Sequence, residues 1–362
     1  MQSTKTSVDS RTFRLVNPGQ VEEIIVQRSI RKGEVAVEPT IGSICHADLR
    51  YYMGLRRPEA LAKKLPMALL HEGIGRIVES SSDSLKVGQR VVIVPNIPGK
   101  EDTEECSSLC DKEFIDNYSE KNHFLGSGYD GIAQSRLVLP EACAIPIPDQ
   151  IPDEIAVLAE LCTVSYHALS RVKGKLAFPK VKVAVFGDGP VGYLTAAMLH
   201  HIYGLDQTRL KVFGAIPEKL EQFSFADRAL VQEFDIFEAE KVDIVIECTG
   251  GRFSESAVNQ GIDLLARGGS LILMGVTEER VPINTRDVLE KGLTLYGSSR
   301  SSAPDYHAVL SAMQNIEYQE TLRAILPEKF TPIENVNDFK EAMDSAAEHK
   351  SWQKVILDFN WS

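Results

Sequence analysis

With 362 residues the chain is long enough for two domains, and its 43% apolar and 25% charged residues form an ordinary globular mixture, which excludes a disordered chain or a peptide-sized scaffold. Lysine plus arginine total 39 against 51 acidic residues, and the net charge of −12 repels a polyanionic backbone, so no nucleic acid partner is expected. The amino terminus, MQSTKTSVDSRTFRLV, lacks the apolar core of a secretory signal, and no apolar run approaches the roughly 20 residues of a membrane span. A cytoplasmic protein without a membrane partner is expected.

Up to about residue 150, the short runs EVAVEPTIGSI, GIGRIVES, GQRVVIVP and SRLVLPEACAIPIP predict many short strands in a barrel-like or sandwich-like arrangement. Between Pro95 and His123 the chain turns polar and acidic, a surface excursion holding Cys106 and Cys110. Their spacing would suit half of a structural zinc site, but four ligands are needed and His123 is the only other nearby candidate, so free thiols are the expectation. All six cysteines are scattered in a pattern that suits reduced thiols or a metal site better than a disulfide framework. Near residue 152 the texture changes, because PDEIAVLAELCTVSYHALSRV carries apolar residues at helical spacing behind a Pro-Asp start. Then KVAVFGDGPVGYLTAAMLHHIYG predicts strand, glycine turn and helix. The runs RLKVFGA, DRALVQ, KVDIVIECTG, GSLILMGV and GLTLYGS come next, with helical segments between most of them. That alternation argues for an α/β, doubly wound parallel sheet. The tail gives a helix (PDYHAVLSAMQ) and a final strand, KVILDF.

The turn FGDGPVG places Gly187, Gly189 and Gly192, with Pro190 and Val191 between them, directly between a strand and an Ala-rich helix. A dinucleotide needs this context: one glycine for the tight turn, one for backbone approach to the pyrophosphate, one for helix packing, with the helix amino terminus supplying positive potential. The second strand ends in Gly214-Ala215 without the carboxylate that usually holds a ribose hydroxyl, and Lys219 lies close by to pair with a 2′-phosphate. NADP(H) is therefore expected over NAD. Cys248 and Gly275, at the ends of later strands, complete the expected cofactor residues.

Three strings, IGSICHADLRYY, LPMALLHEGIGRIVE and LAELCTVSYHAL, are ambiguous singly but together supply Cys45, His71, Glu72 and Glu160, a ligand set fit for one zinc ion with an exchangeable position. Asp48 is placed to accept from His71 and fix its tautomer. His167, further along the same helix as Glu160, reads as a packing residue.

The order CxxD, HExxG, AELxTVSxHAL and GxGxxG resembles the zinc-dependent medium-chain alcohol and polyol dehydrogenases over nearly the whole chain. The resemblance implies a GroES-like catalytic domain in residues 1–155, an inserted Rossmann domain in 156–300 and a return to the catalytic domain in 301–362. It also implies that Cys45, His71, Glu72 and Glu160 surround the zinc, with Glu72 or Glu160 able to act through water. Three departures narrow the match: Ala47 stands where a relay Ser or Thr is usual, Arg50 where a His is usual, and Leu70 where a glycine precedes the metal histidine. The strings ICHADLRYYMG, KLPMALLHEGIG, AELCTVSYHAL, FGDGPVGY, ECTGGR and NTRDVLEKGLTLYGSSRS are similar to those of ribulose-5-phosphate reductases, also called ribitol-5-phosphate dehydrogenases. That likeness implies NADPH-dependent reduction at C2 of a phosphorylated ketose for teichoic acid or capsule precursors, with zinc as Lewis acid. The phosphate would rest on Arg50 and Arg300, with Lys64 a weaker candidate cation, and Tyr51 is a further expected substrate residue. The proton would come from a water held by Glu160 or from Tyr51. A homodimer or homotetramer is implied, with a cytidylyltransferase of the same pathway as a candidate partner. The alternative is a zinc dehydrogenase of an unphosphorylated polyol or another sugar phosphate; a non-catalytic binding protein is disfavoured because all four ligands stand.

Overall fold

The computed structural model describes residues 6–99, 115–119, 121–348 and 351–361, so Cys106 and Cys110 lie outside it. The chain divides into two compact units, one of Met1–Glu160, Ser301–Gln314 and Leu326–Ser362, the other of Leu161–Arg300 and Asn315–Ile325.

The first unit is β-rich. Strands β1 (Thr6–Asn17) and β2 (Gln20–Ile30) form a hairpin whose turn needs Gly19 at φ 70, and β1 also pairs with the two-residue β4 (Met67–Ala68). The main sheet is built around β3 (Glu34–Ser43), a valine- and isoleucine-rich strand flanked on one side by β5 (Glu72–Ser80), itself next to β6 (Arg90–Ile93). On its other side lies the carboxy-terminal strand Ile356–Phe359. Strand register gathers the site at one end of this sheet. Ser43, the last residue of β3, pairs with Glu72 on one neighbour and with Ile356 on the other, so three distant stretches of chain converge at one strand end. Immediately after it comes α1 (His46–Tyr52), and then α2 (Pro58–Lys64), started by a proline in its first turn.

The second unit is a six-stranded, wholly parallel sheet. Its strands are β7 (Val183–Phe186), β8 (Leu210–Gly214), β9 (Asp227–Leu230), β10 (Val242–Glu247), β11 (Leu265–Leu273) and β12 (Thr294–Gly297), in the order β9-β8-β7-β10-β11-β12. The strand order reverses direction about β7, which creates the crevice where such sheets bind ligands. The central strands are continuous apolar runs because helices cover both faces, and the rings of Phe186 and Phe213 stack at 4.5 Å inside. Helix α3 (Ala159–Ser170) carries the buried His167, and α4 (Pro190–His201) comes after β7.

The tail does not stay wholly in the first unit. Residues 315–325, expected there with the rest of 301–362, cluster instead with the parallel sheet. The reason is aromatic packing: in α5 (Ile316–Arg323) the fully buried Tyr318 lies 5.3 Å from the ring of His201, and Tyr193 Oη donates to the carbonyl of Thr321. Among the described residues no helix is long and apolar enough to cross a membrane.

Candidate active site

At the convergent end of β3, ligand atoms of Cys45, His71 and Glu72 all lie within 4.8 Å of one another. Cys45 is the residue that caps α1, and His71-Glu72 opens β5 opposite Ser43. The segment before His71 is locally strained. Leu70 sits at φ 73, a left-handed conformation that costs a non-glycine residue on the order of 1 kcal/mol. Its side chain is fully buried, worth about 2 kcal/mol, so burial outweighs the strain and accounts for a leucine where a glycine would be easier.

Asp48 ties the segments together. It is buried, its Oδ2 accepts the backbone N–H of Cys45 at 3.1 Å, and its Oδ1 accepts the N–H of Leu70 at 3.0 Å and lies 3.4 Å from His71 Nδ1. One carboxylate thus fixes the backbone of both ligand-bearing segments and faces the imidazole, leaving Nε2 for a metal.

Sequence reasoning misses Lys354. It precedes the last strand, is buried, and donates to Glu72 Oε2 at 2.8 Å and to the carbonyl of Ile44 at 2.9 Å. The electrostatics stem from these neighbours. Burial works against the charge of Glu72, yet Lys354 and His71 hold its carboxyl below the usual range. Burial likewise opposes the imidazolium of His71, but Asp48 and Cys45 raise it well above the ordinary value. The Cys45 thiol is pushed up by burial and by Glu72. Glu160, in the first turn of α3, is pushed up to about 7 chiefly by burial, His71 opposing and Glu72 adding. Glu160 feels these groups electrostatically but stands outside the three-residue cluster of ligand atoms.

A metal fits this arrangement. Glu72 Oε1 is buried with no hydrogen-bond partner, an acceptor that costs free energy unless something positive meets it. The donors are one sulfur, one nitrogen and one carboxylate, the mixture that suits zinc with a position left open.

In the parallel sheet, β7 runs through Gly187, Asp188 and Gly189 into α4. Gly187 has φ 132, a side chain on Gly192 would meet the Gly187 carbonyl oxygen at 2.0 Å, and one on Gly189 would meet nothing within 4 Å. The first and third glycines are therefore required by the fold, and the second leaves room beside the helix end that Pro190 and Val191 begin. A cavity of about 340 Å³ opens there, lined among others by Gly187, Gly189, Gly214, Lys219 and Cys248. Two carboxylates not foreseen from sequence shape it. Asp188 accepts the N–H groups of Ala215 and Ile216 at 2.8 and 2.9 Å, fixing the turn after β8. Glu247, at the end of β10 and buried, accepts from Thr249, Gly250 and Gly275, so it clamps the turns after β10 and β11. Gly275 is needed because a side chain there would meet both Glu247 oxygens at 2.5 Å.

Of the residues expected at the substrate, Arg50 lies in the last turn of α1 and Tyr51 beside it is buried, whereas Arg300, at φ 61, ends the first stretch of the second unit.

Known proteins share this organisation. Residues 31–149 match the alcohol dehydrogenase GroES-like domain, and residues 213–315 match the zinc-binding dehydrogenase family. Ribulose-5-phosphate reductase 1 of Staphylococcus aureus is 39% identical, the match covering 96% of this chain and 98% of the relative. Ribulose-5-phosphate reductase of Bacillus spizizenii is 37% identical over 97% and 99%. The crystal structure of S. aureus TarJ in complex with NADPH superposes with a TM-score of 0.83 at 35% identity, covering 98% of this chain and 100% of that one. By fold alone the chain is also similar to L-idonate 5-dehydrogenase of Escherichia coli, with a TM-score of 0.82 at 22% identity over 99% and 100%. With relatives this similar along nearly their entire length, the chain belongs to the ribulose-5-phosphate reductase family of GroES-like, zinc-binding dehydrogenases.

Proposed function

We propose that this protein is an NADPH-dependent reductase that converts D-ribulose 5-phosphate reversibly to D-ribitol 5-phosphate, feeding teichoic acid or capsule synthesis. The observation that carries the reading is the buried Cys45, His71 and Glu72 cluster at the end of β3. Zinc held there would polarise the C2 carbonyl as a Lewis acid, and NADPH would supply the hydride. The chain's own residues do the rest. Asp48 orients His71, and Lys354 balances the negative charge of Glu72. Leu69 and Leu70, both fully buried, anchor the segment that leads into His71. Ala47 has no hydroxyl to pass a proton, so the proton is assigned to the Glu160 carboxyl, acting through water; burial favours the protonated form of that carboxyl.

NADPH is assigned to the crevice about β7, with Lys219 on the 2′-phosphate. Lys219→Ala is expected to weaken NADPH about tenfold more than NADH, the size of one charge-assisted hydrogen bond, in a direct titration of both cofactors. Equal losses would remove Lys219 from that role.

The cytoplasm is the proposed location, where the free thiols of Cys45, Cys143, Cys162 and Cys248 persist. A homodimer or homotetramer is proposed through β12, the edge strand whose unpaired backbone groups would seek a partner. A cytidylyltransferase consuming the product is the proposed pathway partner. The reading is tested by assaying one purified sample with NADPH and ribulose 5-phosphate, ribulose or sorbitol. NADPH oxidation should require the phosphorylated ketose, and equal rates with ribulose would point to a polyol dehydrogenase.

A further inference from the structure

Outside the metal cluster, the first unit gathers three polar side chains from three elements. Lys64, the last residue of α2, donates from Nζ to Tyr51 Oη at 2.8 Å and to Ser127 Oγ at 2.8 Å, and the two hydroxyls lie 3.2 Å apart. Lys64 is half-buried and, among the described residues, makes no ion pair. A second cation, the guanidinium of Arg56, lies 4.8 Å from the centre of the Tyr51 ring. In a chain of net charge −12, a lysine whose hydrogen-bond partners among the described residues are neutral hydroxyls is unusual. An ammonium has three N–H donors, and two are used here. The third, with whichever hydroxyl proton the Tyr51 and Ser127 pair leaves over, makes a face of donors with no acceptor among the described residues.

Chain neighbours and loop contacts tie two of these residues to the segments that carry the metal cluster. Tyr51 stands six residues along the helix that Cys45 caps, a rise of about 9 Å. Ser127 comes three residues after Phe124, and the Phe124 ring lies 5.5 Å from the His71 ring. The loop bearing Ser127 is pinned to the segment before His71: Gly131 N–H donates to Ala68 O, Ile132 N–H to Leu70 O, and a side chain at Gly131 would meet Leu70 O at 2.1 Å. From C2 to phosphorus a ketose 5-phosphate spans five bonds, roughly 6–7 Å when extended. A substrate whose carbonyl faces Cys45 and His71 would carry its phosphate toward this cluster.

We propose that Lys64, Tyr51 and Ser127 form the subsite that recognises the substrate's phosphate monoester, and that they determine the preference for a phosphorylated ketose. The inference rests on the reductase activity proposed above. It moves the main phosphate contact from Arg50 and Arg300 to Lys64.

Steady-state kinetics of the parent, Lys64→Met, Lys64→Arg and Ser127→Ala, with ribulose 5-phosphate and ribulose at saturating NADPH, test it. Lys64→Met should raise the KM for ribulose 5-phosphate roughly tenfold to a hundredfold, the range for hydrogen bonds to a charged group, and lower the selectivity for the phosphorylated over the plain ketose by the same factor. Lys64→Arg should recover part of that loss, and Ser127→Ala should show a smaller loss of the same kind. Inorganic phosphate, titrated calorimetrically, should bind the parent and not Lys64→Met. A KM within twofold of the parent, or a fall in kcat of equal size for both ketoses, would overturn the proposal, the latter pointing to proton delivery instead. Should the parent fail to reduce ribulose 5-phosphate at all, the activity reading falls, while the phosphate titration still decides whether Lys64 holds the anion.

Discussion

Cys45→Ser is expected to lower kcat/KM by about a thousandfold, roughly 4 kcal/mol of transition-state stabilisation, with the fold intact. The fold should survive because the structural bond at this position is the backbone N–H to Asp48, which a serine retains. The metal should not, because the sulfur is one of the three donor atoms that, among the described residues, lie within 4.8 Å of one another. Serine offers a hydroxyl that stays protonated at neutral pH and binds zinc poorly. Elemental analysis and circular dichroism on the same preparation separate these effects: zinc should fall well below one per chain while the spectrum stays unchanged. Near-parental turnover by the variant would remove Cys45 from the chemistry.

Lys354→Met should give the largest stability change. Lys354 is 8% exposed and Glu72 1%, so the pair is screened by protein rather than water. Removing the lysine leaves a buried carboxylate without its counter-charge, a loss of about 3–5 kcal/mol. Methionine keeps most of the side-chain volume, so the loss reports charge rather than a cavity. Urea unfolding of metal-free protein should show the full effect, and added zinc should restore part of it, because a cation beside Glu72 replaces the missing positive charge. Metal-free variant and parent of equal stability would show that the pair contributes nothing.

The types of residue in the site were legible from the chain because each sits in a string whose neighbours constrain it: Cys45 with Asp48 in one helical turn, His71 with Glu72 at a strand start, glycines at a strand-to-helix turn. What the strings do not carry is partnership across distance. Lys354 looks like the polar lead-in to a final strand, and only the pairing of Ile356 with Ser43 delivers it to Glu72. Asp188 and Glu247 read as loop or strand-end polarity, although each accepts backbone N–H groups from turns that later strands supply. Glu160 is expected among the ligands, yet it stands outside the tight trio: its string places it in the first turn of α3 but says nothing of its distance from Cys45 and His71. The tail showed the same limit: the helical pattern of 316–323 says that a face must be buried, not which core will bury it.

Reduction is proposed to require one metal ion at Cys45, His71 and Glu72. Stripping the purified protein with a chelator and titrating zinc back, while monitoring NADPH oxidation with ribulose 5-phosphate, tests it most directly. Turnover should be absent without metal and rise linearly to a plateau at one zinc per chain; undiminished turnover by the stripped protein would contradict it.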